Sequence, residues 1–165
     1  MHGKTVASTA VDDHIYKVFP NDLNTNGTVF GGLVIAILDR VALVVAERHS
    51  GCVCVTASVD ALHFLQPAYL GDVLTFKASV NRSWHASMEI GLKVVAEGAR
   101  GGFPKHVVSA YFTFVALDEK LKPTSVSAVI PESALEKRRY EEAGIRRSAR
   151  LRAAAETRQR RMRAD

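Results

Sequence analysis

From Leu33 to Ala46 the chain reads LVIAILDRVALVVA, an apolar run broken only by Asp39 and Arg40. Gly31 and Gly32 open it, and the polar, turn-forming run Asn21 to Thr28 precedes them. A stretch this long without proline or internal glycine suits a buried helix better than a strand. A helix apolar nearly all round must be covered on most of its circumference, which the rest of the fold has to supply. Asp39 does not belong in such a place on packing grounds. A carboxylate there must find donors, keep its proton or meet water in a cleft, because burying it unpaired is costly. A cleft with a tuned carboxylate is the usual reason to tolerate that cost. The structural readings are that Asp39 lies on the one wet stripe of the helix, or pairs with Arg40 or Arg48 on a neighbouring turn.

The covering elements are legible around it. Val11 to Phe19 reads as a first strand and Pro20 to Thr28 as a loop, with the helix running from Gly31 to about His49. After Gly51 the pattern changes to β. Val53 to Leu62 is rich in Val and Thr, Val73 to Asn81 and Met88 to Glu97 alternate, and His106 to Leu117 is the richest run of β-formers. The connections among these four are too short for parallel crossovers, so the pairing is antiparallel. One long apolar helix against an antiparallel sheet of about five strands is an α+β fold, with the sheet wrapped around the helix. Residues 1–10 are expected to be a flexible N-terminus, 11–128 the folded domain and 129–165 a basic, helical C-terminal tail.

Charge separates that tail from the body. The net charge is +5. Up to Pro131 there are 11 Lys/Arg and 11 Asp/Glu, and from Glu132 onward 11 basic and 6 acidic residues, so the tail carries the whole excess. Pro131-Glu132-Ser133 resembles a helix start, and Gly144 interrupts the charge-rich run beyond it. A solvated helix is the plain expectation for such a segment, with a contact to a partner subunit or an acidic surface as the other reading. The neutral body has no basic face and the tail one aromatic residue, Tyr140, so nucleic-acid binding is the weakest functional class. No apolar run is long enough to span a bilayer, and the N-terminus lacks a hydrophobic signal region; a cytoplasmic protein is expected. Cys52 and Cys54 are the only cysteines. On one strand face they sit about 7 Å apart, too far to pair. They read as small apolar strand residues, and no metal-ligand spacing surrounds them.

The run Asn24-Thr25-Asn26-Gly27-Thr28-Val29-Phe30-Gly31-Gly32, with Asp39 fifteen residues after Asn24, resembles the hotdog-fold acyl-CoA thioester hydrolases. The nearest branches are the bacterial broad-range and the cytosolic long-chain enzymes. The likeness continues through Val55-Thr56-Ala57-Ser58-Val59-Asp60, Phe64-Leu65-Gln66-Pro67, Gly71-Asp72, Arg82-Ser83, Ser87-Met88-Glu89 and Ala110 to Asp118, covering roughly residues 10 to 125. It implies the hotdog fold, hydrolysis of acyl-CoA to a carboxylic acid and coenzyme A, and a dimer-based homo-oligomer, with a trimer of dimers as the expected form. Coenzyme A enters as part of the substrate, and no other cofactor, metal, membrane or specific nucleic acid is implied.

The chemistry fits these residues. Negative charge develops on a thioester carbonyl under attack, and backbone N–H groups at a helix N-terminus suit it. Gly31 and Gly32 leave that backbone uncovered. Asp39 can act as general base on water or as nucleophile, and the Asn24 amide can orient water or thioester. Asp39 lies eight residues beyond Gly31, about 12 Å along a helix, so one carbonyl cannot easily touch both. A site shared between two subunits is therefore expected. Thr56 is a candidate for lining the substrate path, whereas Asp60 reads as structural. Arg82, Ser83 and Ser87 are candidates for coenzyme A contacts, Arg82 as a phosphate ligand, with Lys105 and His106 weaker. The inserted Trp84-His85-Ala86 departs from the family pattern and leaves open which serine corresponds. The alternatives are a non-catalytic acyl-CoA-binding module, or a hotdog hydratase or dehydratase using His63 or His106. A sensor needs neither Asn24 nor Asp39, and the hydratase base has no histidine in the Asn24 to Asp39 segment.

Overall fold

The computed structural model describes residues 2–163. Its strands and helices run in the order β1 (Lys4–Thr5), β2 (Val11–Lys17), α1 (Gly31–Ser50), β3 (Val53–Phe64), β4 (Val73–Ser83), β5 (Ser87–Glu97), β6 (Lys105–Leu117), β7 (Val129–Ile130) and α2 (Ala134–Met162), with a short 3-10 turn at Pro20–Asp22. The main sheet is fully antiparallel in the order β2-β4-β5-β6-β3. This is the expected α+β hotdog architecture.

α1 lies on one face of the sheet and forms the core with it. Val34, Ile37, Leu38, Val41, Ala42, Val45 and Ala46 are buried on its inward side. They meet the inward residues of the strands, among them Leu74, Phe76, Ile90, Phe112 and Phe114. Each Val, Leu, Ile or Phe among them contributes roughly 1.5–3 kcal/mol by leaving water, and each Ala less. The helix is not enclosed all round, however. Ile35, Ala36, Arg40, Val44 and Glu47 form an exposed stripe, with Asp39 half-buried on it. Beside it, β3 is an open edge of 12 residues on which Val53, Val55 and Val59 are exposed. An unpaired edge presents free N–H and C=O groups with which another strand can pair.

Three expectations need correction. Residues 4–10 carry structure: β1 pairs in parallel with β7, Val6 and Thr9 are buried, and the Lys4 ammonium donates to the Arg48 carbonyl at 2.8 Å, closing the last turn of α1. Cys52 lies just before β3, with only Cys54 in the strand. The larger correction concerns the tail. α2 runs unbroken through Gly144, and its first half docks on the outer face of the sheet instead of lying in solvent. Arg146 pairs with Glu89 at 2.7 Å and stacks 3.8 Å from the Tyr111 ring. Arg147 donates to the Ser87 hydroxyl at 2.9 Å and covers Trp84, and Arg150 reaches Asp60 and Thr113. Gly144 is explained by close approach, since a Cβ there would stand 2.6 Å from the Arg82 guanidinium. A capping box of Ser133 and Glu136 starts the helix. Beyond Arg150 the described residues of α2 are exposed.

Candidate active site

The loop before α1 is built around Asn24. Its side-chain oxygen accepts from the Asn26 and Thr28 amides at 2.9 and 3.3 Å, and its amide nitrogen donates to the Thr28 hydroxyl at 2.9 Å. This is the Asx-type turn that Asn favours, and it leaves one amide hydrogen of Asn24 for other use. The chain then enters α1 without a side-chain cap at Phe30. The amides of Leu33 and Val34 turn back onto the Phe30 carbonyl. Among the described residues those of Gly31 and Gly32 make no hydrogen bond, as a helix start requires of its first donors. Both glycines sit under aromatic rings: a Cβ would be 3.1 Å from Phe64 at Gly31 and 2.5 Å from Phe30 at Gly32.

Asn24, Thr28, Gly31, Val34, Phe64 and Leu74 border a mostly apolar pocket of about 370 Å³ at this helix start. Sequence reasoning gives Phe64 no role, although it stands in the Phe64-Leu65-Gln66-Pro67 run. Its contact with Gly31 depends on where β3 ends relative to α1, which no local pattern shows.

Asp39 lies elsewhere. It stands on the exposed stripe of α1, outside the residues that border the pocket, and the Thr56 hydroxyl of β3 donates to its Oδ1 at 2.6 Å. Neither Arg40 nor Arg48 pairs with it among the described residues. The candidates at this end of the chain thus form two separate groups: a pocket bordered by Asn24 and Gly31 at the helix start, and a carboxylate steadied by a hydroxyl.

The remaining candidates fall into other groups. Arg82 lies under α2, 4.3 Å from the Tyr140 ring, and donates to the Tyr140 carbonyl at 3.4 Å. Ser83 donates to the Ser127 carbonyl at 2.9 Å, and Ser87 accepts from Arg147. All three are at the β4–β5 hairpin and occupied by internal contacts. Lys105 is at the start of β6, 5.7 Å from the Tyr69 ring, and His106 bonds the Ser109 hydroxyl at 2.9 Å. Asp60 is structural, as its strand position suggests. Burial alone would raise its carboxyl, but the Ser58 and Thr113 hydroxyls and the Arg150 guanidinium outweigh this and hold it below the ordinary carboxylate range.

Among known proteins, residues 26–102 match the family model of the thioesterase superfamily. The chain is 37% identical over 117 residues to the uncharacterized acyl-CoA thioester hydrolase YkhA of Bacillus subtilis, covering 71% of this chain and 68% of that protein. The acyl-CoA hydrolase of Staphylococcus aureus, solved in complex with butyryl coenzyme A, coenzyme A and coenzyme A disulfide, superposes with a TM-score of 0.88 at 33% identity, over 96% of this chain and 94% of that one. An apo-hexameric acyl-CoA thioesterase superposes with a TM-score of 0.90 at 34% identity, over 94% and 99%. In the S. aureus hydrolase an Asp, an Asn and a Thr have each been replaced by alanine. There the Asn precedes the Asp by fifteen residues and the Thr comes seventeen after it, the separations of Asn24, Asp39 and Thr56 in this chain.

Proposed function

The chain belongs to the thioesterase superfamily, and from that premise we propose that it hydrolyses acyl-CoA to a carboxylic acid and free coenzyme A at a site shared by two copies. The observation that carries this reading is the separation of the two groups. Along α1 the acid and the first amides are about 12 Å apart, and Gly31 borders the pocket whereas Asp39 does not. A second copy added at the open β3 edge brings the exposed stripe of α1, with its Asp39, against another molecule. The apolar Ile35, Val44, Val53, Val55 and Val59 would be covered in the same step. The hexameric relative supports a dimer-based assembly, and a trimer of dimers is the arrangement we favour.

In this site the thioester carbonyl points its oxygen at the Gly31 and Gly32 amides, which meet the developing oxyanion. Asp39 takes a proton from water as the water oxygen bonds to the carbonyl carbon. On collapse the C–S bond breaks and the sulfur leaves, taking up that proton as the thiol. Direct attack by Asp39, through an anhydride that water then opens, uses the same geometry. Thr56 fixes the carboxylate, and the free Asn24 amide hydrogen orients water or thioester. The seventeen-residue spacing shared with the S. aureus protein supports a place for Thr56 beside the acid. Arg82, Ser83, Ser87 and Lys105 lie at the two ends of the sheet. They would meet coenzyme A only where an assembly brings another copy's pantetheine path to them.

The test is complementation. Asp39→Asn and Asn24→Ala each lower kcat by about a hundredfold or more. When the two inactive variants are mixed and reassembled, a shared site predicts recovery to about a quarter of wild-type activity, because half the dimers are mixed and each has one intact site. A mixture that stays inactive, or a fully active monomer, places the whole site within one chain and sinks this reading.

A further inference from the structure

The strand that steadies Asp39 has an irregular ladder. Along β3, Thr56 stands opposite Phe114 of β6 and Ser58 opposite Thr113, then Val59 opposite Phe112 and Ala61 opposite Tyr111. Ala57 and Asp60 are therefore extra residues, two bulges within five positions. Phe112 and Phe114 are fully buried under α1, so Thr113 between them points to the α2 face. Thr56 shares the α1 face, where its hydroxyl donates to Asp39, and Ser58 shares the α2 face. In a regular strand these two residues would lie on the same side. The first bulge re-aims one of them, a use of bulges that is common beside active sites.

This happens on the open edge, where, among the described residues, β6 is the one strand neighbour of β3. Asp60 holds the segment. One of its carboxylate oxygens accepts from the Ser58 hydroxyl, the other from the Thr113 hydroxyl at 2.6 Å and from the Arg150 guanidinium. Arg150 also donates to the Thr113 hydroxyl at 2.7 Å. With its side chain 6% exposed, this carboxylate ties the bulged segment to β6 and to α2 at once. Arg150 is also where α2 leaves the sheet, since the described residues beyond it are exposed.

We propose that Asp60 and Arg150 are positioning residues for the reaction: their brace on the outer face sets the bulged edge so that Thr56 presents its hydroxyl to Asp39. The inference rests on the reading of Asp39 as the acid of a shared site. Neither residue touches the reacting atoms, because Asp60 is up to about 13 Å along the strand from Thr56 and Arg150 lies on the opposite face. The C-terminal helix thereby enters turnover from a distance. None of Thr56, Asp60 and Arg150 borders the pocket at the start of α1, so the brace acts on kcat and not on KM.

The experiment is hydrolysis of short- to long-chain acyl-CoAs by the full chain, with folding and assembly checked for every variant. Asp60→Asn and Arg150→Met should each lower kcat about tenfold with KM unchanged. Asp60→Asn leaves no buried charge unpaired, so it serves if Arg150→Met folds poorly. Arg150→Lys keeps a cationic donor and should restore most of the rate. Arg150→Met added to Thr56→Val should cost little beyond Thr56→Val alone, because both act through one hydroxyl. Arg146→Met loosens the same helix without touching Asp60 and should leave kcat as it is. A second readout needs no turnover: NMR of the Thr56 methyl group in threonine-labelled protein. In the wild-type background its signal should move on Asp39→Asn, and in the Asp60→Asn background it should not respond. Additive losses, an equal loss in Arg146→Met, a raised KM in place of a lowered kcat, or a Thr56 methyl that still senses Asp39 after Asp60→Asn overturns the proposal. If wild type hydrolyses no acyl-CoA, the shared-site reading falls by itself, and the methyl signal alone decides whether the brace sets Thr56 on Asp39.

Discussion

The two helices grip opposite faces of one sheet by different physics. α1 holds its face with seven buried apolar side chains and no ion pair among the described residues. α2 holds the other with Arg146, Arg147 and Arg150, set on Glu89, Ser87, Asp60 and Thr113, and only Ala143 of its residues is buried. Burial is non-directional and tolerates a sliding partner. Paired charges hold only in one register, and they leave a costly buried carboxylate if that register is lost. The sheet is therefore built by α1, and α2 is located on it.

The largest effect expected from this contrast is on the α1 side. Leu38 is fully buried against the sheet, so Leu38→Ala should cost about 3–5 kcal/mol in urea unfolding. A loss below about 1 kcal/mol would mean that α1 packs more loosely than its burial shows. Next comes Arg146→Met. It leaves Glu89, 1% exposed, with only the Asn81 amide at 2.9 Å as partner, and should cost about 2–3 kcal/mol. Adding Glu89→Gln should recover most of this, because a neutral amide still accepts from Asn81 without a buried charge. If the double variant is no better than the single one, Arg146 contributes through its stacking on Tyr111 and the ion-pair account of α2 fails.

The same contrast decides what is legible in the sequence. α1 is readable because an unbroken apolar run admits few interpretations, and the strands because alternation marks a half-buried sheet. The docking of α2 is not. An arginine that will meet Glu89 on a distant strand looks identical to a solvated one, and the register that pairs them is set by the whole sheet. Gly144 misleads for the same reason, since it reads as a helix breaker until Arg82 is placed beside it. At the candidate site, Asn24, Gly31 and Asp39 are singled out by the likeness of their run to the thioester hydrolases. That Thr56 bonds Asp39 depends on the crossing of α1 over β3, and its strand position alone suggests only a lining residue.

Acid should separate the two grips. On the α2 side, the folded Asp60 carboxyl lies below its ordinary value of about 4. Its contribution is complete above that pH and is lost as pH falls through the folded value. Arg150→Met should remove about 1–2 kcal/mol at neutral pH and flatten this acid limb of the stability profile. An unchanged limb would assign acid unfolding to other carboxylates.

The smallest effect, and the sharpest discriminator, belongs to the end of α1. His49 is fully buried in its last turn, with Nε2 2.9 Å from the Ser127 carbonyl and Nδ1 without a hydrogen-bond partner. Burial lowers its pKa from the ordinary histidine value; the Ser127 carbonyl opposes this and the Lys4 ammonium adds to it. Nε2 therefore carries the proton and donates to Ser127, while Nδ1 stays bare. The unfolded chain takes up a proton near pH 6.5 that the folded chain refuses. Stability should be level above that pH, decline as pH falls towards the folded value, and level off below it. The slope is at most about 1.4 kcal/mol per pH unit. His49→Gln keeps a donor for Ser127 and removes the titration, so it should flatten the profile from about pH 6.5 downward while leaving the Asp60 limb in place. Losing both limbs together would mean that the two faces of the sheet unfold as one unit whose acid response is not set by either helix. Losing only the upper limb would show that each face carries its own pH limit, set on α1 by a group kept neutral and on α2 by a group kept charged.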